Sequence, residues 1–305
     1  MPITEVKKIW MNGRLVDWKD AKVHVLTHAM HYGTGVFEGI RCYETPKGHA
    51  VFRLSEHIAR LFEGSAFYRM KVPYSQKEIC GATKDVVRAN GLKSGYIRPI
   101  VYRGYGEMGL NPLKSPVDVA IAVWPWGTYL GDDGLKNGIK VAISSYQRIS
   151  PKTMPPQVKA TGNYINSILA KLEAIDKGAD EAILLDCQGN VSEGPGENVF
   201  AVKGKKIYTP SLDSSILKGI TRQSVMEIAK DLGHEVMEVK MKPADLLNAD
   251  EAFFTGTAAE ITPIREIDGK VIGKPGRITK EIQGIFFDAV HGKNERYVKW
   301  LDFVD

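Results

Sequence analysis

Short apolar segments separated by turn residues fill the first part of the chain. Residues 9–11 and 14–16 flank Asn12 and Gly13, the pair most typical of a tight strand reversal, and this predicts a β-hairpin. The turn 45–48 joins segment 36–43 to segment 50–54 in a similar way. The chain is therefore predicted to begin with two pairs of strands.

Two amphipathic helices are predicted next. Residues 55–67 carry apolar side chains at helical spacing. Residues 75–90 begin with a capping box formed by Ser75 and Glu78, and Gly91 marks their end. Both segments therefore combine a periodic apolar face with a recognisable boundary.

Two apolar strands follow, at 96–102 and 117–124. Because side chains alternate along a strand, Tyr96 and Arg98 share one face. Segment 124–134 is rich in glycine and aromatic residues, which predicts a loop between two domains, either a plain surface loop or a lid over a cleft.

The second half is predicted to mix strands with helices. Helix 163–177 carries five aliphatic residues at helical spacing: Ile165, Ile168, Leu169, Leu172 and Ile175. The other predicted elements are strand 139–145, a hairpin of 182–186 with 191–202, helix 221–232, and strands 236–241 and 251–254. The predicted fold class is α/β (α+β), with a small N-terminal domain 1–123, an interdomain loop 124–134 and a large C-terminal domain 135–305.

Composition narrows the class of protein. The 305 residues are 43% hydrophobic and 25% charged, and the net charge of +5 comes from dispersed residues, which favours a small anionic ligand over nucleic acid. The three cysteines, Cys42, Cys80 and Cys187, lie far apart and the seven histidines lack ligand spacing, so we expect a reducing cytoplasm and no metal site. No apolar run approaches the roughly 20 residues of a membrane helix.

Lys159 and Glu193 are the residues that suggest covalent chemistry. Lys159 lies in a run without any other ionisable residue, 153–163, where loss of its proton would make it an imine-forming nucleophile. Glu193 is followed by glycines at 194 and 196, which permit close approach to a flat ligand whose ring nitrogen a carboxylate would keep protonated. Either residue alone could equally be an ordinary solvated side chain.

Two short motifs suggest anion sites. Gly219 and Thr221 lie at the start of a predicted helix, where backbone N–H groups favour phosphate, and Thr257 follows Gly256 after a strand. A threonine at a helix start can also be only a cap. Arg60 could contact phosphate or be an ordinary surface arginine, and His57 could support it.

Taken together, these motifs resemble the branched-chain amino acid aminotransferases, which are fold-type IV pyridoxal-phosphate enzymes. The motifs occur in the same order over about residues 9–304: YGTGVFEGIR at 32–41, RL at 60–61, YIRP at 96–99, KATGNY at 159–164, SEGPGEN at 192–198, GITR at 219–222 and TGTAAE at 255–260. Seven ordered motifs are far more specific than any one of them.

The resemblance implies the role of each cofactor residue. It implies a two-domain protein with pyridoxal 5'-phosphate between the domains, and Lys159 as the catalytic lysine that bonds to the cofactor and moves the proton. The remaining cofactor-binding residues are then Tyr164 at the ring hydroxyl, Glu193 at the ring nitrogen, Leu217 against the ring, and Arg60, Gly219, Ile220, Thr221, Gly256 and Thr257 around the phosphate.

The resemblance also implies the substrate and the assembly. The chain would move the amino group of L-leucine, L-isoleucine or L-valine to 2-oxoglutarate, with Arg98 meeting the second carboxylate of glutamate. A loop at 106–110 would close the neighbouring subunit's site, giving a homodimer or a dimer-based hexamer. The implied substrate residues are Tyr32, Phe37, Gly39, Tyr96, Arg98, Met108, Leu110, Trp126, Tyr129, Tyr164, Thr257 and Ala258.

Other activities share this scaffold. A D-amino acid or (R)-amine transaminase would use the same lysine and glutamate, but segments 32–41 and 96–98 argue against it. An aminodeoxychorismate lyase would eliminate pyruvate without an acceptor oxo acid, and a non-catalytic binding module would not need Lys159. The order of preference among leucine, isoleucine, valine and aromatic substrates stays open.

Overall fold

The computed structural model describes residues 3–304, and contacts between Cα atoms group the chain into two compact units. The first unit comprises the described part of Met1–Gly127 together with Val158–Gly162 and Ala289–Asp305, and the second comprises Thr128–Gln157 and Asn163–Asp288. The short segment Val158–Gly162 thus packs with the first unit, although it lies within the range predicted for the C-terminal domain.

The elements follow in chain order. The strands are β1 (Lys8–Met11), β2 (Arg14–Asp17), β3 (Gly35–Phe37), β4 (Ile40–Thr45), β5 (Gly48–Phe52), β6 (Gly95–Arg103), β7 (Val117–Trp124), β8 (Ile139–Gln147), β9 (Glu181–Leu185), β10 (Asn198–Lys203), β11 (Lys206–Pro210), β12 (Glu235–Val239), β13 (Glu251–Gly256), β14 (Glu260–Ile267), β15 (Lys270–Val271) and β16 (Leu301–Phe303). The α-helices are α1 (His28–Tyr32), α2 (Leu54–Phe67), α3 (Gln76–Asn90), α4 (Gly131–Asn137), α5 (Tyr164–Asp176), α6 (Ile220–Asp231), α7 (Pro243–Leu247) and α8 (Arg277–Val290).

The first unit is built on one antiparallel sheet. Its strand order is β16-β5-β4-β6-β7-β1-β2, and β3 pairs with β6. The predicted hairpin is confirmed, because β1 pairs with β2 and the turn residues Asn12 and Gly13 have φ of 47° and 91°. The capping box is also confirmed: Ser75 Oγ accepts from Glu78 N, and Glu78 accepts from Ser75 N. Helices α2 and α3 cover the apolar core of this unit.

The second unit contains a mixed sheet in the order β12-β11-β10-β13-β14-β8-β9, with β15 on β14. The pairs β8/β9, β8/β14 and β11/β12 are parallel, and the other pairs are antiparallel. Together with the helices, the two sheets confirm the predicted α/β (α+β) class. Among residues 3–304, no helix is both long enough and apolar enough to cross a membrane.

The predicted hairpin of 182–186 with 191–202 is wrong in its second strand. Only the first residues turn back, where Ser192 N donates to Leu184 O and Leu184 N donates to Glu193 O. The segment 194–196, Gly-Pro-Gly, then interrupts the strand, since proline offers no N–H to a ladder. Strand β10 starts afterwards and pairs with β11 and β13.

The predicted loop 124–134 is also wrong at its end, because Gly131 opens the short helix α4. Two details explain why glycine is acceptable there. Gly131 has φ of 78°, and a Cβ at Gly134 would lie 2.7 Å from Ile139 Cγ2. The glycines that suggested a loop therefore permit a tight entry and a close contact.

Helix α5 is confirmed, but its aliphatic stripe faces outward. The buried side chains of α5 are Ser167, Ala170 and Ala174. The five predicted apolar positions are each 39–61% exposed: Ile165, Ile168, Leu169, Leu172 and Ile175. Small residues, not the large aliphatic ones, thus pack α5 onto its own unit.

Candidate active site

Lys159 lies in a loop that is bonded to strand β3. Phe37 N donates to Lys159 O at 3.0 Å, and Ala160 pairs with Val36 as an isolated bridge. Ala160 N also donates to Val158 O at 2.9 Å, so the chain makes a three-residue turn with Lys159 at its centre. The backbone of the first unit thereby fixes the position of this lysine.

Helix α2 approaches the same loop closely at Gly64. A Cβ at Gly64 would lie 2.8 Å from Val36 Cγ1 and 3.1 Å from Val158 Cγ1. Only glycine therefore lets the helix pack this tightly against β3 and the lysine loop.

Arg60 and His57 both bind one buried carboxylate, that of Glu38. Arg60 Nε donates to Glu38 Oε1 at 2.7 Å and Arg60 Nη2 to Oε2 at 2.9 Å, while His57 Nδ1 lies 2.7 Å from Oε2. Glu38 is 0% exposed and the Arg60 side chain 14%. The expectation that His57 supports Arg60 is confirmed, and the support runs through Glu38.

The charges of this cluster are settled by its surroundings. Burial alone would raise the pKa of Glu38, but the charges and hydrogen bonds of Arg60 and His57 outweigh it and hold that pKa far below its ordinary range. Burial outweighs the attraction of Glu38 and lowers the pKa of His57. At neutral pH the cluster is therefore a carboxylate and a guanidinium, with a neutral imidazole that donates from Nδ1.

An aromatic wall surrounds Arg98. Its guanidinium carbon lies 4.7 Å from the ring centre of Phe37, 5.4 Å from that of Tyr96 and 6.0 Å from that of Trp124. Among residues 3–304, Arg98 forms no ion pair with a carboxylate, and its buried Nε has no hydrogen-bond partner. The Phe37 ring also lies 5.3 Å from Lys159 Nζ, so one ring borders both cations.

Gly39 and Trp126 complete this wall around Tyr96. A Cβ at Gly39 would lie 1.9 Å from the Tyr96 hydroxyl, so the tyrosine occupies the space that glycine leaves open. The rings of Tyr96 and Trp126 are 5.2 Å apart, and Arg41 Nη2 lies 3.5 Å from Trp126 O. The structure thus brings together five predicted substrate residues: Phe37, Gly39, Tyr96, Arg98 and Trp126.

The other substrate residues predicted in the first unit lie on its surface. Tyr32 is 41% exposed, Met108 45% and Leu110 89%. Buried His28 holds the loop that carries Met108 and Leu110. Its Nε2 donates to Gly109 O at 2.8 Å, and its Nδ1 lies 2.8 Å from the Thr34 hydroxyl.

In the second unit, Glu193 is held by three neighbours. Arg148 Nε donates to Glu193 Oε1 at 2.9 Å, and Oε2 accepts from Asn198 Nδ2 and Leu217 N, each at 3.0 Å. Both Glu193 and Arg148 are buried. The negative charge of the carboxylate is therefore balanced by Arg148, and its orientation is fixed by all three neighbours. A group that keeps a proton on a bound ligand needs both properties.

The predicted phosphate residues of this unit lie at a helix start and a hairpin turn. Gly219 is the N-cap of α6 and has no side chain with which to cap that helix, and a Cβ there would lie 1.9 Å from Asn198 Oδ1. Ile220 and Thr221 form its first turn. Thr257 and Ala258 lie in the turn between β13 and β14, and β13 ends at Gly256. Beside them, the buried Thr255 hydroxyl has no hydrogen-bond partner within residues 3–304.

Tyr164 and Tyr129 also belong to the second unit. Tyr164 is half-buried at the start of α5. Tyr129 is 39% exposed, with the Lys171 amine 5.9 Å from its ring centre.

Glu197 is buried in the same loop as Glu193. Its Oε2 accepts from Gly196 N at 3.0 Å. Burial and the charge of Glu181 raise the pKa of Glu197 to about 8. Glu197 and Asn198 thus hold the loop around Glu193.

Two functional residues were missed from the sequence, Glu38 and Arg148. His57 and Arg60 lie three residues apart on α2, and such a pair on a buried face needs an acidic partner. That spacing could have pointed to Glu38. Arg148 follows the last strand residue, Gln147, and no local pattern marks it.

Comparison with known proteins gives the same class of protein as the sequence motifs. Residues 35–267 match the amino-transferase class IV family. The branched-chain-amino-acid aminotransferase of Pseudomonas aeruginosa is 48% identical over 298 residues, which are 97% of each chain. The crystal structure of the Escherichia coli branched-chain amino acid aminotransferase has a TM-score of 0.97 at 48% identity, covering 99% of this chain and 100% of that one. The T.th. enzyme with pyridoxamine 5'-phosphate has a TM-score of 0.96 at 47% identity, covering 99% of each chain.

The chain therefore belongs to the class IV aminotransferases, and it is an aminotransferase of fold type IV. Within that class its similarity is to enzymes of branched-chain amino acids. The T.th. enzyme has also been solved with N-(5'-phosphopyridoxyl)-L-glutamate and with 4-methylvaleric acid.

Proposed function

We propose that this enzyme transfers the amino group of L-leucine, L-isoleucine or L-valine to 2-oxoglutarate, reversibly and in two half-reactions. The observation that carries the proposal is the Phe37 ring, which borders both Lys159 Nζ and the guanidinium of Arg98. Such a wall is apolar enough for a branched side chain and still offers a cation for the second carboxylate of glutamate.

The residues fit pyridoxal 5'-phosphate as the cofactor. The N-cap residue of helix α6 is a glycine without a side chain, the Thr255 hydroxyl beside the hairpin turn has no hydrogen-bond partner within residues 3–304, and the charge of Glu193 is balanced by Arg148. The phosphate would be held by Arg60, Gly219, Ile220, Thr221, Gly256 and Thr257. Tyr164 would bind the ring hydroxyl and Leu217 would pack on the ring.

When bound, pyridoxal phosphate supplies a ring that withdraws electrons from the substrate's α-carbon. Glu193 holds the proton on the ring nitrogen. Lys159 would hold the cofactor at rest, and once the amino acid displaces it, its free amine would take the α-proton as general base and deliver it to the cofactor carbon on the other side of the amino nitrogen. Arg148 and Asn198 keep Glu193 aimed during both half-reactions.

The remaining assignments concern the pocket and the assembly. Tyr32, Tyr129 and Tyr164 extend the apolar wall, and the turn at Thr257 and Ala258 receives the α-carboxylate. Met108 and Leu110 cover the site of a neighbouring subunit, which makes the enzyme a homodimer or a dimer-based hexamer. The cytoplasmic location stays a prediction, as do the two domains divided at 124–134.

The near-visible absorption spectrum tests the proposal. A yellow band that bleaches with L-leucine, survives D-alanine and returns with 2-oxoglutarate is the expected result. If only D-alanine bleaches the band, the assignment of Lys159 stands, but the enzyme is a D-amino acid transaminase. Release of pyruvate from aminodeoxychorismate, without any acceptor oxo acid, would indicate a lyase. The absence of any band after incubation with pyridoxal phosphate would refute the assignment of the cofactor.

A further inference from the structure

Three buried carboxyl groups lie close enough in the second unit to influence one another. They belong to Glu193 and Glu197 and to Glu181 at the start of β9. Arg148 binds Glu193, and Lys171 Nζ lies 3.0 Å from Glu181 Oε2. Within residues 3–304, no cation forms an ion pair with Glu197. Two cations thus face three carboxyl groups, and because a buried charge without a partner is unstable, one of the three keeps its proton.

The hydrogen bonds identify Glu197 as the carboxyl that keeps the proton. Glu181 receives the Lys171 amine and one backbone N–H, and Glu193 receives three donors. The Glu197 carboxyl receives only the N–H of Gly196. Burial and the negative charges of Glu181 and Glu193 outweigh this N–H and the charge of Lys171, and they raise the pKa of Glu197 to about 8. At neutral pH the Glu197 carboxyl is therefore uncharged.

The Glu197 side chain packs against Gly256, where the hairpin turn between β13 and β14 begins. A Cβ at Gly256 would lie 3.6 Å from Glu197 Cγ, and a Cβ at Gly194 would lie 2.7 Å from Glu197 Oε2. Both glycines therefore leave room for this side chain. The facing strand contributes Glu260, which pairs with Gly256 and is also buried. A negative charge on Glu197 would lie one bond beyond Cγ, beside a turn that the proposed reaction needs for binding an anion.

We propose that Glu197 is a positioning residue whose proton lets the turn at Thr257 and Ala258 bind the substrate's α-carboxylate, and that loss of this proton weakens the binding. The inference rests on the proposed function, which puts the α-carboxylate at this turn. Glu197 does not touch the substrate and acts through its charge alone. Two like charges about 10 Å apart, at an effective dielectric constant of about 20, weaken binding roughly tenfold. This weakening should appear as the pH rises through about 8, where Glu197 loses its proton.

The dissociation constant of 4-methylvalerate, a leucine analogue without the amino group, tests the proposal in the holoenzyme. The probe cannot be transaminated, and it stays ionised above about pH 6 because an ordinary carboxyl titrates near pH 4. The ratio of the wild-type constant to that of Glu197→Gln should be flat below about pH 7 and rise roughly tenfold by about pH 9.5. The control Glu266→Gln removes a partly exposed carboxylate of the same unit, paired with Lys140, and should keep the wild-type pH dependence. A ratio that stays constant would overturn the proposal.

Two further measurements keep the proposal decidable if Glu197→Gln does not fold. Glu181→Gln removes a negative charge that raises the pKa of Glu197, so 4-methylvalerate binding should begin to weaken at a lower pH than in the wild type. An unchanged onset would count against the proposal. The infrared spectrum of the wild-type holoenzyme should show the carbonyl stretch of a protonated carboxyl at pH 7, and this band should fade by about pH 9.5. Its absence at pH 7 would refute the proton on Glu197.

The same data separate this inference from the proposed function. If 4-methylvalerate binds to no variant at any pH although the yellow band is present, the assigned α-carboxylate site is wrong and the inference falls with it. If the probe binds with a constant ratio between wild type and Glu197→Gln, only the role of Glu197 is overturned.

Discussion

Replacing Glu38 by glutamine isolates the contribution of the buried cluster on α2. The substitution keeps the shape of the side chain but removes the charge that Arg60 and His57 share. Removing one partner of a buried ion pair costs about 3–5 kcal/mol. Because the Arg60 side chain is 14% exposed, part of its charge would be solvated, and we expect about 3 kcal/mol.

Urea unfolding at pH 7 measures this loss. With a slope of about 1–3 kcal/mol per molar, the midpoint should fall by roughly 1–3 M. The control is Glu63→Gln, on the exposed side of the same helix, which should shift the midpoint by much less. Equal shifts in the two variants would refute the assignment of Glu38 as the anchor of Arg60.

The pH dependence gives a second, independent check on Glu38. Its pKa is lowered in the folded state, so its stabilising contribution is complete above the unfolded value of about 4.3 and is lost as the pH falls further. The difference between wild type and Glu38→Gln should therefore be constant from about pH 6 to 8 and shrink toward pH 3. A difference that grows in acid would contradict the argument.

Three further predictions concern the pocket and the loop. Arg98→Met should lower kcat/KM for 2-oxoglutarate roughly 10- to 100-fold, which corresponds to the loss of a charged hydrogen bond. The half-reaction with L-leucine should change little, and equal losses in both half-reactions would refute the role of Arg98 in binding the second carboxylate. Gly39→Ala forces a methyl group against Tyr96 and should cost about 1–3 kcal/mol in unfolding free energy, whereas the control Gly81→Ala, whose Cβ meets no described atom within 4 Å, should be neutral or stabilising. Glu197 has a raised pKa, so its stabilising contribution is complete below about pH 4.5 and lost as the pH rises through about 8. Between pH 6 and 9 the unfolding midpoint of the wild type should therefore fall more steeply than that of Glu197→Gln, and parallel curves would contradict the shift.

Features set by neighbouring residues were predictable from the sequence. The turn at Asn12 and Gly13 needs only residues that accept positive φ, and the capping box of Ser75 and Glu78 is closed within one helical turn. The pairing of Tyr96 with Arg98 on one face follows from strand alternation alone.

Features that depend on distant parts of the chain were not predictable in this way. Glu38 meets Arg60 across 22 positions, and Arg148 meets Glu193 across 45. The stripe of α5 shows the limit of periodicity, because spacing locates an apolar face but does not say whether the face packs inside the chain. The opposite side, with Ala170 and Ala174, packs instead because small side chains allow close approach.

The path of the chain through the first unit sets the order in which it can be completed. Strand β16 forms the last edge of that unit's sheet, Arg53 N donates to Trp300 O, and Leu54 N donates to Asp302, so the start of α2 is held by the final residues. A ribosome adding about 5–20 residues per second would need roughly 10–35 s after position 127 to deliver them. The unit that begins first in synthesis is therefore completed last, because its final strand is made long after the loop that carries Lys159.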